Sequence, residues 1–181
     1  MKNAFAKSAI LILFSLVFAA AGTAQTNCDF TRKTAPLLFN LQIGKSPEQV
    51  QSVFGRNLKI KIKKNGERTF FQNYIKKPAP ESVRGVRALY LRFFDRRLYQ
   101  IEIFYEPRFD LKTLGEVVNA LASPLNFSVA DWQIKNNRAE TKCGEISLVA
   151  DYVLNPRIEL TDETIRAAIG EARAKDKKRI F

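Results

Sequence analysis

Histidine is absent from the 181-residue sequence, which contains only two cysteines, one methionine and one tryptophan. Without imidazole, the chain cannot build a His-containing catalytic triad, a His-ligated zinc site or the usual near-neutral general base. Two lone cysteines are also too few soft ligands for a metal. The sequence shows no glycine-rich phosphate loop and no calcium-loop spacing. We therefore expect no cofactor, no metal and a protein that is not an enzyme.

One catalytic alternative concerns the acidic residues. Glu102 and Glu106 fall on one face of a predicted strand, and Asp110 follows it. Paired carboxylates perform general acid–base catalysis in glycosidases, so an unrecognised hydrolase is a third-ranked hypothesis. A solvated strand end is the interpretation that we favour.

Long apolar runs are missing except at the N-terminus. Lys2 and Lys7 accompany an apolar run over residues 9–18, and small residues follow it over 19–24. This order predicts a signal peptide over residues 1–24, cleaved after Ala24, with cleavage after Ala21 as a second option. The run is shorter than the roughly 20 residues that span a bilayer, and a retained anchor is the alternative. We expect a periplasmic or secreted protein with no membrane span after cleavage.

The mature part, residues 25–181, has the length of a single domain. Cys28 and Cys143 predict a disulfide, because an even cysteine count in an exported chain is typical of one; two reduced, buried thiols are the alternative. The formal charge of +12 becomes +10 when Lys2 and Lys7 leave with the signal peptide. This excess favours anionic partners such as lipid headgroups or polysaccharide, although we do not expect nucleic acid to be one.

The clearest local signal is a short helix within residues 46–55. Ser46 is suited to cap this helix, Pro47 occupies the favoured first position, and Gln49 completes a capping box. Gly55 can adopt the left-handed backbone that ends a helix. We therefore predict a capped helix directly before the first strand.

A basic hairpin is predicted next. Apolar residues alternate with lysines over residues 58–62, and Asn65-Gly66 favours a two-residue turn into a strand over 68–75. In that register Ile60 faces Phe71 and Lys61 lies opposite Phe70. Cations interleaved with aromatics can hold an anionic polymer, although a solvated face that protects an edge strand is the interpretation we favour. The candidate anion-binding residues are Lys59, Lys61, Lys63, Arg68, Phe70 and Tyr74.

A second hairpin is predicted from residues 86–94 and 98–106, with its turn near Asp95-Arg96. Pairing Phe94 with Arg97 gives two largely apolar faces, so we expect central strands covered by helix on at least one side. One predicted face carries Val86, Ala88, Tyr90, Arg92, Tyr99, Ile101, Ile103 and Tyr105. The other carries Leu89, Leu91, Phe93, Leu98 and Phe104 together with Arg87, Gln100 and Glu102.

The C-terminal part predicts further strands between two helices. Asp110 is suited to cap a helix to about Ala122, and Thr161 to cap a last helix. Strands are predicted over residues 139–143, 145–153 and 157–160. The expected fold class is α+β, an antiparallel sheet of two hairpins plus C-terminal strands with helices packed on it.

Residues 41–55 resemble the opening of the SmpA/OmlA-type small lipoproteins of the outer-membrane assembly machinery and, more broadly, β-lactamase-inhibitor-protein-like domains. The matching residues are Gly44, Ser46, Val50, Phe54 and Gly55. The resemblance implies a non-catalytic protein-binding or assembly role in the cell envelope, with another envelope protein as the partner. The chain departs from the lipoproteins because it has no lipidation site at Cys28. The alternative function is binding of anionic envelope polymer or lipid through the basic hairpin.

Overall fold

A computed structural model describes residues 28–54, 59–62, 68–73, 85–106, 111–153 and 155–178; for residues 54, 59–62, 68–73 and 176–178 it describes the backbone alone. The predicted signal peptide lies outside the described residues. The first elements are α1 (Pro47–Phe54), β1 (Lys59–Ile62), β2 (Arg68–Asn73), β3 (Val86–Phe94) and β4 (Arg97–Tyr105). They are followed by α2 (Leu114–Ala122), β5 (Gln133–Lys135), β6 (Arg138–Cys143), β7 (Ile146–Tyr152), β8 (Pro156–Asp162) and α3 (Glu163–Lys178).

The strands form one antiparallel sheet of eight strands in the order β1-β2-β3-β4-β8-β7-β6-β5. This arrangement confirms the predicted α+β class. The first half, α1 with β1 to β4, and the second half, α2 with β5 to β8, each consist of a helix followed by four sequential strands. The two halves join where β4 pairs with β8, so that β1 and β5 are the outer strands.

One face of the sheet forms the main core with α1 and α2. Val50 of α1 and Val117, Val118 and Leu121 of α2 are buried in this cluster. The sheet contributes fully buried apolar side chains from both halves, among them Leu89, Leu91, Phe93, Ile101, Ile103, Ile146, Leu148 and Leu160. Burial of this apolar surface at about 25 cal/mol per Å² is the main force that holds the helices on the sheet.

The caps of the three helices differ in how well they match the sequence. The capping box of α1 is confirmed, because Ser46 N–H donates to Gln49 at 2.9 Å and Gln49 N–H donates to Ser46 Oγ at 3.3 Å. The cap of α2 is Thr113, whereas the predicted cap, Asp110, lies outside the described residues. The predicted cap of α3, Thr161, is wrong: Thr161 belongs to β8, and the Asp162 carboxylate accepts the first helical N–H groups.

The register of the basic hairpin differs by one residue from the prediction. Ile60 pairs with Phe70, Lys61 with Thr69 and Ile62 with Arg68. Residues 63–67 separate the last paired residues, so the connection has an odd length and a two-residue turn does not fit this pairing. A shift of one residue changes the partner of every position in the strand.

The register of β3 with β4 also differs from the prediction. Phe94 pairs with Arg97, and the pairing shifts between Phe93–Leu98 and Arg92–Gln100. Tyr99 is therefore the extra residue of a β-bulge, which displaces the pairing of residues 100–104 with β3 by one position relative to the prediction. A second shift, at Arg87, restores the predicted pair of Val86 with Tyr105. The two predicted face assignments are wrong for this reason, since Ile101 and Ile103 share a face with Leu91 and Leu89.

The first described residues, Cys28 to Phe30, are attached to the second half of the molecule. A disulfide joins Cys28 to Cys143 at the end of β6, as predicted. Glu145 N–H donates to the carbonyl of Phe30 at 2.9 Å, which fixes the same N-terminal segment to the turn after β6. No helix in the described part of the chain is long and apolar enough to cross a membrane.

Candidate functional site

The sheet face opposite α1 and α2 carries a cluster of charged and aromatic side chains. Among the described elements, α3 packs on this face near one end, where Ile165 and Ile169 enclose Tyr99. The remainder, which we call the open face, comprises Tyr90, Arg92, Glu102, Phe104, Arg138, Glu140, Asp151, Arg157 and Glu159.

The strand register brings the open-face residues of the two halves together. Glu102 of β4 lies directly opposite Glu159 of β8, and Tyr90 lies on the other side of Glu102. Phe104 and Asp151 flank Arg157 in the next row. Two carboxylates in directly opposed positions repel each other, so this centre of the sheet needs a compensating cation.

Arg157 supplies that cation. Its Nε donates to Glu102 at 2.7 Å, its Nη2 donates to Glu159 at 2.5 Å, and its Nη1 donates to Asp151. Burial by itself would lower the pKa of Arg157, but the hydrogen bond and charge of Glu102, with the charges of Glu159 and Asp151, raise it above its ordinary value. The guanidinium therefore stays charged and holds three carboxylates from β4, β7 and β8 in place.

Two further polar groups extend the network. Arg92 Nη2 donates to the second oxygen of Glu102 at 3.1 Å, and Gln100 Nε2 donates to Glu159 at 2.8 Å. Arg92 Nε is buried and has no hydrogen-bond partner among the described residues. Both oxygens of Glu102 are thus occupied by arginines, which leaves this carboxylate no free oxygen for general acid–base chemistry.

Aromatic rings lie beside the ion pairs. The ring of Phe104 meets Tyr90 edge to face, with centroids 5.5 Å apart at an interplanar angle of 72°. The guanidinium carbons of Arg157 and Arg87 lie 5.8 Å and 6.0 Å from the Phe104 centroid. Tyr90 and Phe104 are half-buried. Half-buried aromatics and arginines are the residue types that dominate binding energy at protein interfaces.

Of the three acidic residues suggested for a hydrolase site, the structure describes Glu102 and Glu106. Glu102 belongs to the ion-pair network, Glu106 is exposed after β4 ends, and Asp110 lies outside the described residues. Within the described ranges, no group of three or more acidic or cysteine side chains is arranged to hold a metal.

Four of the six candidate anion-binding residues lie in β1 and β2. Lys59, Lys61, Arg68 and Phe70 lie in β1 and β2, of which the backbone alone is described, and Lys63 and Tyr74 lie outside the described residues. The observed register places Thr69, not Phe70, opposite Lys61. Binding of an anion by this hairpin stays a prediction.

The network on the open face was missed by sequence reasoning, because it depends on the bulge at Tyr99 and on the pairing of β4 with β8. The only sequence signal was the charged residue at alternate positions of otherwise apolar strands, as at Arg92, Glu102 and Glu159. Comparisons with protein-family models, with curated proteins and with solved structures find no match for this chain. Since a fold does not by itself identify a function, the function has to be argued from the site.

Proposed function

We propose that this protein is a non-catalytic protein-binding module of the cell envelope and that the open face is its binding surface. The observation that carries the proposal is the pre-arranged network around Arg157, which sets arginines, carboxylates and half-buried aromatics on one sheet face. A surface whose side chains are already fixed loses little conformational entropy on binding.

The charge of the open face favours a protein over an anionic polymer. In its ion-paired centre the cations are Arg92, Arg138 and Arg157, and the acids are Glu102, Glu140, Asp151 and Glu159. Further cations on the same face, Arg87, Lys135 and Lys142, lie outside this centre. Within the centre the two signs nearly balance and alternate across the strands. Alternating charge of this kind gives orientation and specificity against a protein surface, whereas a polyanion is attracted by an excess of positive charge.

The resemblance in residues 41–55 supports the same role, because it implies protein binding or assembly in the envelope. The disulfide between Cys28 and Cys143 is compatible with an exported protein, since disulfides persist in oxidising compartments. Two serines of the described residues have structural roles: Ser46 caps α1 and Ser147 Oγ donates to Glu163.

Site-specific photo-cross-linking in the native envelope tests the proposal. A photoreactive residue replaces Tyr90 or Glu140 on the open face, and Lys112 or Val129, both away from that face, in matched controls. We expect a discrete protein adduct from the two open-face positions at low and at high salt, competed by unlabelled protein. Adducts of equal yield from all four positions, or none from the open face, would contradict the proposal.

A further inference from the structure

A second polar surface lies at the edge of the first half, away from the network around Arg157. A cavity of about 510 Å³ opens between the N-terminal segment, the loop before α1 and the first residue of β4. Four of its lining residues are cations, Arg32, Lys33, Lys45 and Arg97, and we call this set the cationic cleft. The other described residues that line it are Gln42, Ile43, Gly44 and Gln49, so no acidic residue is among them.

Backbone hydrogen bonds hold the walls of the cationic cleft together. Gly44 N–H donates to the Leu98 carbonyl at 2.7 Å, and Leu98 N–H donates to the Lys45 carbonyl at 2.8 Å. These two bonds place Lys45 beside Arg97. Gly44 has a φ of +90°, and a Cβ there would lie 3.7 Å from Cβ of Arg32. The positive φ is therefore the reason that this position favours glycine, since the Cβ contact alone would be an ordinary van der Waals one.

Arg32 is the fixed member of the cationic cleft. Its Nε donates to Asp162 at 2.5 Å and its Nη2 donates to Thr164 Oγ1 at 2.8 Å. Asp162 is fully buried and neutralises the Arg32 guanidinium. The bonds to Asp162 and Thr164 use only part of the five N–H donors of Arg32. The guanidinium is thus oriented in advance, with donors left for a ligand.

The other three cations are not neutralised. Lys33, Lys45 and Arg97 are exposed, and their side chains form no hydrogen bond or ion pair with the described residues. Of the acidic groups nearby, Glu48 pairs with Arg96 at 2.8 Å, and Asp95 shares the adjoining cavity of about 300 Å³ with Arg32 and Arg97 without forming an ion pair with either. Three uncompensated positive charges at one cavity repel each other, which an anionic ligand would relieve.

We propose that the cationic cleft binds a phosphate group. Tetrahedral oxyanions accept several donors from different directions, and the planar fork of arginine with the mobile ammonium of lysine is the combination that proteins use to hold them. The phosphate can belong to a lipid headgroup or to a free phosphate compound. This site shares no residue with the open face or with the predicted basic hairpin, and it stands whether or not the open face binds a protein.

The test compares two variants of the mature protein that lose the same charge. The cleft variant carries Lys33→Gln, Lys45→Gln and Arg97→Gln. The control variant carries Lys135→Gln, Lys142→Gln and Lys175→Gln, at three exposed lysines outside the cleft. Binding of inorganic pyrophosphate is measured by titration calorimetry, and binding to phosphatidylcholine vesicles with and without phosphatidylglycerol is measured by flotation. Thermal unfolding shows that both variants are folded.

We expect the cleft variant to bind at least one of these probes more weakly than the wild type by roughly tenfold, and the control variant to bind as the wild type does. A loss confined to pyrophosphate identifies a free phosphate compound as the ligand. A loss confined to the phosphatidylglycerol vesicles identifies a lipid headgroup. Equal losses in the two variants, or no binding of either probe by the wild type, would overturn the proposal.

Discussion

The two halves of the molecule share one order of elements but are secured differently. In the first half, α1 and the sheet are held by apolar packing around residues such as Val50, Leu91 and Phe93. In the second half, α2 packs in the same way, but β6 and β8 are also linked to the N-terminal segment through the Cys28–Cys143 disulfide and the Arg32–Asp162 ion pair. The N-terminal segment then crosses to the first half, where Gly44 bonds to Leu98.

This difference shows that one topology can be stabilised without a covalent cross-link in one half and with one in the other. The segment over residues 28–45 makes the two halves interdependent, because it starts on the second half and ends on the first. Both candidate ligand surfaces depend on that arrangement: the open face crosses the seam between β4 and β8, and the cationic cleft includes Arg32, which is held by the end of β8.

Removing the disulfide tests the cross-linked half most severely. A variant with Cys28→Ser and Cys143→Ala, the latter because Cys143 is buried, is expected to lose about 4–5 kcal/mol of unfolding free energy in the chain-entropy model. Chemical denaturation of the wild type with and without reductant should give the same loss. If oxidised and reduced protein unfold at the same denaturant concentration, the disulfide does not stabilise the second half.

Arg157→Leu breaks the polar seam between the halves. The change leaves the nearly buried Glu102, together with Glu159 and Asp151, without their shared cation, and we expect a loss of about 3–4 kcal/mol. Arg138→Leu, which breaks more exposed pairs with Glu140 and Asp151 in the second half, is expected to cost less than about 1 kcal/mol because Asp151 keeps its pair with Arg157. Similar losses of unfolding free energy in the two variants, measured by denaturant unfolding, would mean that the Arg157 network does not stabilise the protein more than the exposed pairs do.

Two glycine substitutions compare a crowded site with an open one. At Gly144, where φ is +57°, a Cβ would lie 2.5 Å from the Phe30 carbonyl oxygen, so Gly144→Ala is expected to cost roughly 2 kcal/mol. At Gly170 of α3 a Cβ meets nothing within 4 Å, and Gly170→Ala should stabilise by about 0.5–1 kcal/mol. Thermal unfolding of both variants gives the signs, and a stabilised Gly144→Ala variant would refute the close contact.

The smallest effect concerns a tyrosine at the end of β4 in the first half. Burial raises the pKa of Tyr105 well above its ordinary value of about 10. The unfolded chain therefore loses this proton first as the pH rises above about 10, and the free energy of unfolding falls. Below that pH the contribution is fully present.

Tyr105→Phe should flatten this alkaline loss of stability, whereas Tyr152→Phe, which removes a hydrogen bond to the Leu111 carbonyl in the second half, should keep it. Denaturant unfolding measured at several pH values between neutrality and the alkaline range distinguishes the two variants. An unchanged pH dependence in Tyr105→Phe would show that this phenol does not govern alkaline stability.

The sequence predicts those features that are decided locally. The capping box at Ser46 and the turn between Phe94 and Arg97 depend on residues close together in the chain, and both are confirmed. The bulge at Tyr99 is different, because packing of Ile165 and Ile169 from α3 favours it, and those residues are distant in sequence. The same applies to the cap of α3, where Arg32 binds the Asp162 carboxylate across 130 residues.

The candidate site follows the same rule. Glu102 and Arg157 are 55 residues apart, and nothing in either local pattern shows that their strands are neighbours. The cationic cleft combines three separate segments, residues 32–33, 42–49 and Arg97, so no local sequence pattern predicted it either. The excess of positive charge was visible in the composition, but its distribution required the pairing of Gly44 with Leu98.

The pairing of β4 with β8 also sets a constraint on biogenesis. A ribosome completes β4 before it makes any part of the second half, so the edge of β4 that β8 will cover is temporarily a row of unpaired N–H and C=O groups. Leu98, Ile101 and Ile103 on that strand are strongly apolar. Pairing at this sequence separation is slow. The nascent first half therefore exposes an unpaired apolar strand edge, which favours aggregation, until β8 has been synthesised.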